Sequence, residues 1–462
     1  MLLFNEIEKQ TSLNFIDATT NVKYQFHEIL FDLSIVEKED KQVVFLYSSN
    51  TVNVLGAYFS FLKSNFTIAL LNEELDLNLK IDLEKRYCPS VIIDKTRNEI
   101  NTYRIVSLTS KVDILHFFYN KNNKVNVHSK IKLLLSTSGT TGSPKFVKLS
   151  EDNLYQNAIS IISYLPIQEE DVVPLNLPIF YSYGLSILHS NALKGVTIVC
   201  NVDDVLSKGF WNQFDEYGFT SIAGVPFVYE MLDRIGFRKK QYKTLRYISQ
   251  AGGSLNEKIK LHFLNYCGSN NIKFYVMYGQ TEATARISYV PFNELKEKIL
   301  SIGKPVLNGK LFIDEITNEL VYEGPNIFGG YADGKESLSS WENIKKLFTG
   351  DLARKDEDGF YFITGRMKRF VKVFGNRVNL DEIEAFLKGK IEDANFACIG
   401  IKDKHIIVFS DSKAIAMEDV KSVIAKELKI HSSVIKYKLI NDFPLTSNGK
   451  INYKALELSY EL

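Results

Sequence analysis

The chain has 462 residues, 45% of them hydrophobic, and its 56 basic and 55 acidic side chains leave a formal net charge of +1. This length suggests about three structural units around a large core, and the even charge balance argues against nucleic acid or an anionic membrane as main partner. Four scattered cysteines (Cys88, Cys200, Cys267, Cys398) without a C-x-x-C, an acidic N-terminus, and no apolar run long enough to span a bilayer predict a cytoplasmic protein with reduced thiols.

Residues 1 to about 40 scatter aromatics among acids. Residues 43–47 (VVFLY) then read as a buried strand, 50–62 as a helix and 66–71 as a second strand. Strand–helix–strand order predicts a parallel sheet with a right-handed crossover. A helix over 75–86 and a strand over 90–94 repeat the alternation. Residues 133–135 and 146–149 read as two short strands, and Ser150 is a good N-cap for a helix running to Tyr164, with Glu151 and Asp152 in its first turn. LPIFYSYGL (177–185) follows, with Tyr181 and Tyr183 read at a strand end, then strands over 196–199 and 220–223 and a helix over 226–235. Residues 245–249 lead into Ala251, Gly252 and Gly253, and 273–277 feed YGQTE. From about 300 to 365 the chain is β-rich, with turn signals at Asn308–Gly309, Asp333–Gly334 and Asp358–Gly359. Beyond Arg366 a strand–helix–strand–strand–helix–strand pattern restarts. The predicted class is α/β: a large N-terminal domain (1–366) with parallel-type sheets and a β-rich subdomain, plus a small mobile α+β C-terminal domain (367–462). The short junction favours a hinge over a floppy tether.

The stretch Ser136, Thr137, Ser138, Gly139, Thr140, Thr141, Gly142, Ser143, Pro144, Lys145 is rich in hydroxyls and glycine and ends in a cation. Glycines let the backbone approach an anion, successive amides form an anion-binding concavity, and Lys145 adds a point charge. This composition suits a polyphosphate, against the plainer reading of a Ser/Thr/Gly hairpin with a solvated lysine. A Walker loop is excluded, because Pro144 occupies its second glycine position and Phe146 its magnesium-binding Ser/Thr position.

Further along, each short motif has a plain and a functional reading. Tyr278–Glu282 sits where open α/β sheets bind ligands, or is a polar turn. Gly252–Gly253 permits close backbone approach, or is an ordinary turn. Asp351 in TGD can accept from two vicinal hydroxyls, or is a turn aspartate before a hairpin. Arg366 in TGR is a nucleotide contact or a surface cation. Lys450 closes PLTSNGK, whose Asn448–Gly449 turn presents it on a tight loop.

In their order over residues 133–450 these motifs resemble those of the adenylate-forming superfamily, which holds acyl-CoA and aryl-CoA synthetases, peptide-synthetase adenylation domains and luciferases. The usual loop there is S-G-T-T-G-x-P-K-G-V; here Phe146 replaces the glycine after the lysine, and the histidine often found soon afterwards is missing. The resemblance implies ATP and Mg2+ as cofactors. It places Thr137 to Gly142 and Lys145 on phosphates, Gly252, Gly253 and Tyr278 beside the adenine, and Thr281 on the α-phosphate. Glu282 would hold magnesium, Asp351 the ribose and Arg366 the nucleotide. It makes Lys368 a hinge, Lys372 and Gly375 part of the thiol-step segment, against the plainer and, for Lys372 alone, slightly favoured reading of a β-turn with a solvated lysine, and Lys450 the adenylation lysine. LPIFYSYGL lacks the aspartate that pairs with an α-amino group, and Tyr181 and Tyr183 either line an acyl or aryl pocket or merely pack.

The implied reaction activates a small carboxylic acid as acyl-adenylate and transfers it to a thiol, with acyl- or aryl-CoA ligation leading. The alternatives are a stand-alone adenylating enzyme that loads the phosphopantetheine of an acyl carrier protein, and a nucleotide-binding regulatory protein without turnover. Which acid is used depends on pocket shape.

Overall fold

A computed structural model describes every residue except 1, 37–39, 137–144, 368, 374–375, 392–393, 402–404, 413–416, 429, 447–449 and 462. The described residues fall into two compact units. One takes in those of Met1–Gly139, Ser143–Lys310 and Tyr322–Leu347, the other those of Leu311–Val321 and Phe348–Leu462.

The core of the first unit is an eight-stranded sheet. Its centre runs Leu133–Ser136, Phe66–Asn72, Gln42–Ser48, Val91–Ile93, all parallel. Gln42–Ser48 is buried at every residue, as a strand covered on both faces must be, and this explains its unbroken apolar run. The crossover helix Val52–Lys63 starts at Thr51, whose hydroxyl accepts from Val54 N at 3.3 Å. Its far end is closed by buried Lys132, which donates to the Phe61 and Ser64 carbonyls at 3.0 and 2.6 Å, where a cation is favoured. Ser150 caps helix Glu151–Ile162 in a reciprocal box with Asn153. A buried charge cluster braces one edge of this core. Lys80 Nζ lies 3.0 Å from Asp94, while Arg97 reaches both Asp94 (2.7 Å) and Glu84, which also accepts from Tyr47 at 2.9 Å.

A second sheet sets Ser221–Gly224, Tyr247–Gln250 and Lys273–Tyr278 in parallel, followed by two antiparallel strands. A third pairs Val172–Pro174, Thr197–Cys200 and Asn14–Asp17 in parallel, with Val22–Gln25 antiparallel at the edge.

The second unit begins with a four-stranded sheet in which Leu347–Lys355 pairs antiparallel with Tyr361–Arg366 across a turn at Gly359, whose φ is +84°. The hairpin Phe370–Val373/Asn376–Asn379 follows. Then a three-stranded sheet (Phe396–Ile401, His405–Ser410, Ile435–Leu439) packs with helices Leu380–Lys390 and Met417–Glu427 on one core, while its other face meets Leu456 of helix Tyr453–Glu461. Arg369 ties this unit together. It pairs with Asp381 (2.5 Å) and Glu384 (2.7 Å), donates to the Cys398 carbonyl, and lies 3.8 Å from the Tyr453 ring centre.

Among the described residues, no helix is long and apolar enough to cross a membrane. The four cysteines are free thiols.

Candidate active site

The strands Ser221–Gly224, Tyr247–Gln250 and Lys273–Tyr278 end side by side, and the segments after the second and third carry predicted site residues. After Gln250 the chain turns through Ala251 and Gly252, the latter at φ +88°. A Cβ at Gly252 would lie 2.5 Å from the Tyr181 hydroxyl, so glycine here is what lets Tyr181 approach the turn. The Gly253 carbonyl closes the turn by accepting from Gln250 Nε2 at 2.9 Å.

After half-buried Tyr278 the backbone passes Gly279, where any Cβ would meet the Ala285 carbonyl at 2.0 Å. That close approach folds Thr281–Ala283 into a 3₁₀ turn at the strand end. Thr281 Oγ1 donates to Ser182 Oγ at 3.3 Å. The Glu282 carbonyl accepts from Phe328 N at 2.9 Å, and its Oε1 accepts from Tyr331 Oη at 2.9 Å. One carboxylate oxygen is thus fixed from the protein side. The donor is a hard oxygen of the type magnesium takes together with phosphate oxygens. Among the described residues, no group of three or more His, Cys, Asp or Glu is arranged to hold a metal.

The sequence puts Tyr181 and Tyr183 at a strand end; they instead begin helix Ser182–Ala192. The strand stops at Pro174, and LPIF forms the connection. The serines and small residues of SYGLSILHSNA hide a helical period, which is why the sequence suggests a strand end there. Tyr183 is buried and shares a hydrogen-bonded knot, donating to the Ser249 carbonyl at 2.9 Å beside Tyr229, which donates to the same oxygen at 2.8 Å. Burial pushes its phenol up to about 12, against the pull of Arg286 and Ser249.

Lys145 is exposed just before strand Phe146–Leu149. Thr137, Ser138, Gly139, Thr140, Thr141 and Gly142 lie outside the described residues, as do Lys368 and Gly375. In the second unit Asp351 lies within strand Leu347–Lys355, directly opposite Arg366, whose Nε is 3.2 Å from its Oδ1. TGD therefore belongs to the hairpin itself. Lys372 stands opposite Arg377 in its own hairpin. The Asn448–Gly449 turn lies outside the described residues, but Lys450 is tied to Thr446: its N–H donates to Thr446 Oγ1 at 3.2 Å, its carbonyl accepts from Thr446 N at 2.7 Å, and Leu445 bridges Ile451.

Sequence reasoning passed over Tyr331 and Arg286. The only signals were a tyrosine after Gly329–Gly330 and an arginine four residues beyond Glu282 in an otherwise uncharged run.

Comparison with known proteins places this geometry in context. The family model described as AMP-binding enzyme matches residues 33–332. An oxalate–CoA ligase of Arabidopsis thaliana is 27% identical over 344 residues, 70% of this chain and 66% of that protein. A 2-succinylbenzoate–CoA ligase of Staphylococcus epidermidis is 25% identical over 432 residues, 89% of this chain and 87% of that protein. The chain spans about two thirds of the length of several of these curated relatives (66%, 66% and 65%). The structure of o-succinylbenzoate CoA synthetase from Bacillus subtilis, in complex with its acyl-adenylate intermediate, superposes with a TM-score of 0.76 at 19% identity, covering 98% of this chain and 97% of that one. The fold is that of these enzymes.

Proposed function

We propose that this chain, which belongs to the AMP-binding enzyme family, activates a small carboxylic acid with ATP and passes the acyl group to the thiol of coenzyme A. The observation that carries this reading is the grouping of Thr281, Glu282, Gly252 and Tyr181 around the shared end of parallel strands, where doubly wound sheets bind ligands.

In the first half-reaction an ionised carboxylate oxygen attacks the α-phosphorus of ATP. A new O–P bond forms, the α–β anhydride bond breaks, and pyrophosphate leaves. No protein nucleophile is needed. The obstacle is bringing two anions together, which costs about 4 kcal/mol per pair of unit charges at 4 Å in an effective dielectric near 20. The chain's cations and donors offset that: Lys145 and the loop 137–142 on the phosphates, Thr281 on the α-phosphate, and Lys450 between carboxylate and nucleotide. Magnesium, held through Glu282, would supply further charge neutralisation at the phosphates. Tyr278, Gly252 and Gly253 take the adenine side, Asp351 the ribose hydroxyls and Arg366 the nucleotide, with Tyr181 and Tyr183 along the acyl group. In the second half the thiol loses its proton, sulfur attacks the acyl carbon, the acyl–phosphate bond breaks and AMP leaves. We assign Lys368 as hinge and Lys372 with Gly375 to this step, the part after residue 366 exchanging Lys450 for that segment.

Coenzyme A as acceptor is supported by relatives named oxalate–CoA ligase and 2-succinylbenzoate–CoA ligase. Free thiols at all four cysteines fit a cytoplasmic location. The test is pyrophosphate release and ATP–pyrophosphate exchange over a broad acid panel, with and without coenzyme A. Exchange without coenzyme A consumption would redirect the acceptor to a carrier-protein phosphopantetheine. No exchange with any acid would favour a non-catalytic nucleotide-binding protein. Lys450→Ala should slow adenylation about a hundredfold or more while sparing thioester formation from preformed adenylate. Equal loss in both halves would refute the exchange of segments.

A further inference from the structure

Along one side of helix Ser182–Ala192 lies a small cavity. It is walled by Tyr183, Ser186 and Asn191 of that helix, by Ser249 and Met277 of the parallel strands, and by Arg286. On two of the parallel strands the lining residues alternate, Ser221 with Ala223 and Tyr247 with Ser249, as a two-residue period requires. The cavity shares the first turn of this helix with the site: Ser182 receives the Thr281 hydroxyl, and Tyr183 is the next residue.

Arg286 is 3% exposed. No carboxylate pairs with it among the described residues; Nη1 donates weakly to the Ala285 carbonyl at 3.4 Å and the guanidinium meets the Tyr164 hydroxyl, while its buried Nε–H finds no acceptor. The guanidinium lies 4.3 Å from the centre of the Tyr183 ring. A buried cation without a counter-ion costs several kcal/mol of desolvation, and evolved sites hold such charges where a ligand completes them. The backbone that carries it is rigid. Arg286 N donates to Asn157 Oδ1 at 3.1 Å, and Asn326 Nδ2 donates to the Arg286 and Ala283 carbonyls at 2.8 Å each. Asn191, another lining residue, has a buried Oδ1 that is also without a donor and suits a water or a substrate hydroxyl. The cavity leaves about 20 Å³ for the centres of water-sized molecules. That is room for about one water-sized polar group and not for an alkyl chain.

We infer that Arg286 is the specificity-determining residue of the acid pocket, receiving a second carboxylate at the end of the substrate away from the reacting one, so that the enzyme selects short diacids over monoacids of equal length. The inference rests on the acid-activating function proposed above. A site built to pair a polar group discriminates strongly against the analogue that lacks it, because its own buried group is then left bare.

The experiment compares succinate with butyrate and phthalate with benzoate, in the full-length protein and in Arg286→Met and Arg286→Lys. Wild type should favour each diacid by about a hundredfold in kcat/KM for pyrophosphate release. Arg286→Met should erase that preference while leaving the monoacid values within a few-fold, and Arg286→Lys should restore part of it. Thermal melts with each acid and no ATP give a readout independent of turnover: diacids should raise the Tm of wild type and not of Arg286→Met. Absence of exchange with every acid would count against the function alone, since the melts still report on the pocket. A wild type whose Tm responds equally to diacid and monoacid would overturn the inference. So would an Arg286→Met that loses both acids alike.

Discussion

Gly252 offers the sharpest separation of backbone strain from side-chain crowding at the site. Its φ of +88° lies where L-residues are strained, so Gly252→Ala costs about 1–2 kcal/mol before any contact is counted. The added methyl would also stand 2.5 Å from Tyr181 Oη, against an ordinary contact distance near 3.4 Å, so the ring must retreat by about 0.9 Å (3.4 minus 2.5). Tyr181 packs edge-on to Tyr183, with centroids 6.3 Å apart, and the retreat presses on a buried neighbour; overpacking of this kind costs about 1–3 kcal/mol. Tyr181→Phe removes the offending oxygen and leaves the next ring atom at 3.7 Å. The single alanine variant should therefore lower Tm by several degrees and cut kcat/KM for the acid by about 10- to 100-fold, since each 1.4 kcal/mol is a factor of ten. Tyr181→Phe alone should be close to neutral. The double variant should recover the Tyr181 crowding and keep both the strain and the 3.2 Å approach to Val225 Cγ1, a coupling of about 1–3 kcal/mol in a double-mutant cycle read by melts and pyrophosphate release. Strict additivity of the two substitutions would refute the claim that Tyr181 and this turn share one space.

Tyr331→Phe should raise the magnesium concentration needed for half-maximal pyrophosphate release about tenfold at fixed ATP, because the partner that orients Glu282 is gone; an unchanged magnesium requirement would remove Tyr331 from the site. Arg369→Met leaves the half-buried Glu384 and Asp381 without their guanidinium, a loss of about 3 kcal/mol, the low end for breaking a buried pair. Hydrogen exchange on the full chain should then accelerate at least about a hundredfold in strands Phe396–Ile401 and His405–Ser410 with little change in Gln42–Ser48, and a uniform change would contradict that local role. For Asp94, burial alone would raise the carboxyl, but hydrogen bonds from Thr96 and Lys80 outweigh it and hold the group below its ordinary value. A depressed carboxyl adds stability above its unfolded value of about 3.9 and loses it as pH falls through the folded value. The Tm gap between wild type and Asp94→Asn should therefore be wide at pH 7 and narrow below about pH 4; a gap constant with pH would disprove the linkage.

Elements whose signal is local were legible in the sequence. Strand–helix–strand order over the central sheet survives because a doubly covered strand carries an unbroken apolar run, as residues 43–47 do within Gln42–Ser48. Ser150 was readable as a cap because capping is settled within three residues. What failed depends on distant partners. Helix Ser182–Ala192 is rich in serine and small residues because it is buried almost all round, so it shows no polar face from which to read a period. Arg286 looks like a surface cation until the walls that enclose it come together from residues more than a hundred positions away, such as Asn157 and Tyr183. Tyr331 joins the site only because its strand pairs with Phe146–Leu149, a register invisible from either segment alone.

The two kinds of residue also divide by what holds them. Thr281, Glu282 and Gly252 hang from the ends of buried parallel strands, and Glu282 is further pinned by Tyr331, so their positions are set by a rigid core and cost little to organise when substrate arrives. Lys450 is held differently. Among the described residues, bonds to Thr446, the Leu445–Ile451 bridge and the Asn452 N–H on the Pro444 carbonyl tie down the ends of its loop, and the loop belongs to a unit with its own apolar core. A cation mounted on a small self-supporting body can be brought to a pair of anions and withdrawn without unfolding anything. A cation built into the strand ends could not be withdrawn, and would stay beside the AMP that the thiol step must expel. The proposed order of events, anions first neutralised and then released, asks for the fixed donors on the sheet and the removable one on the separate unit.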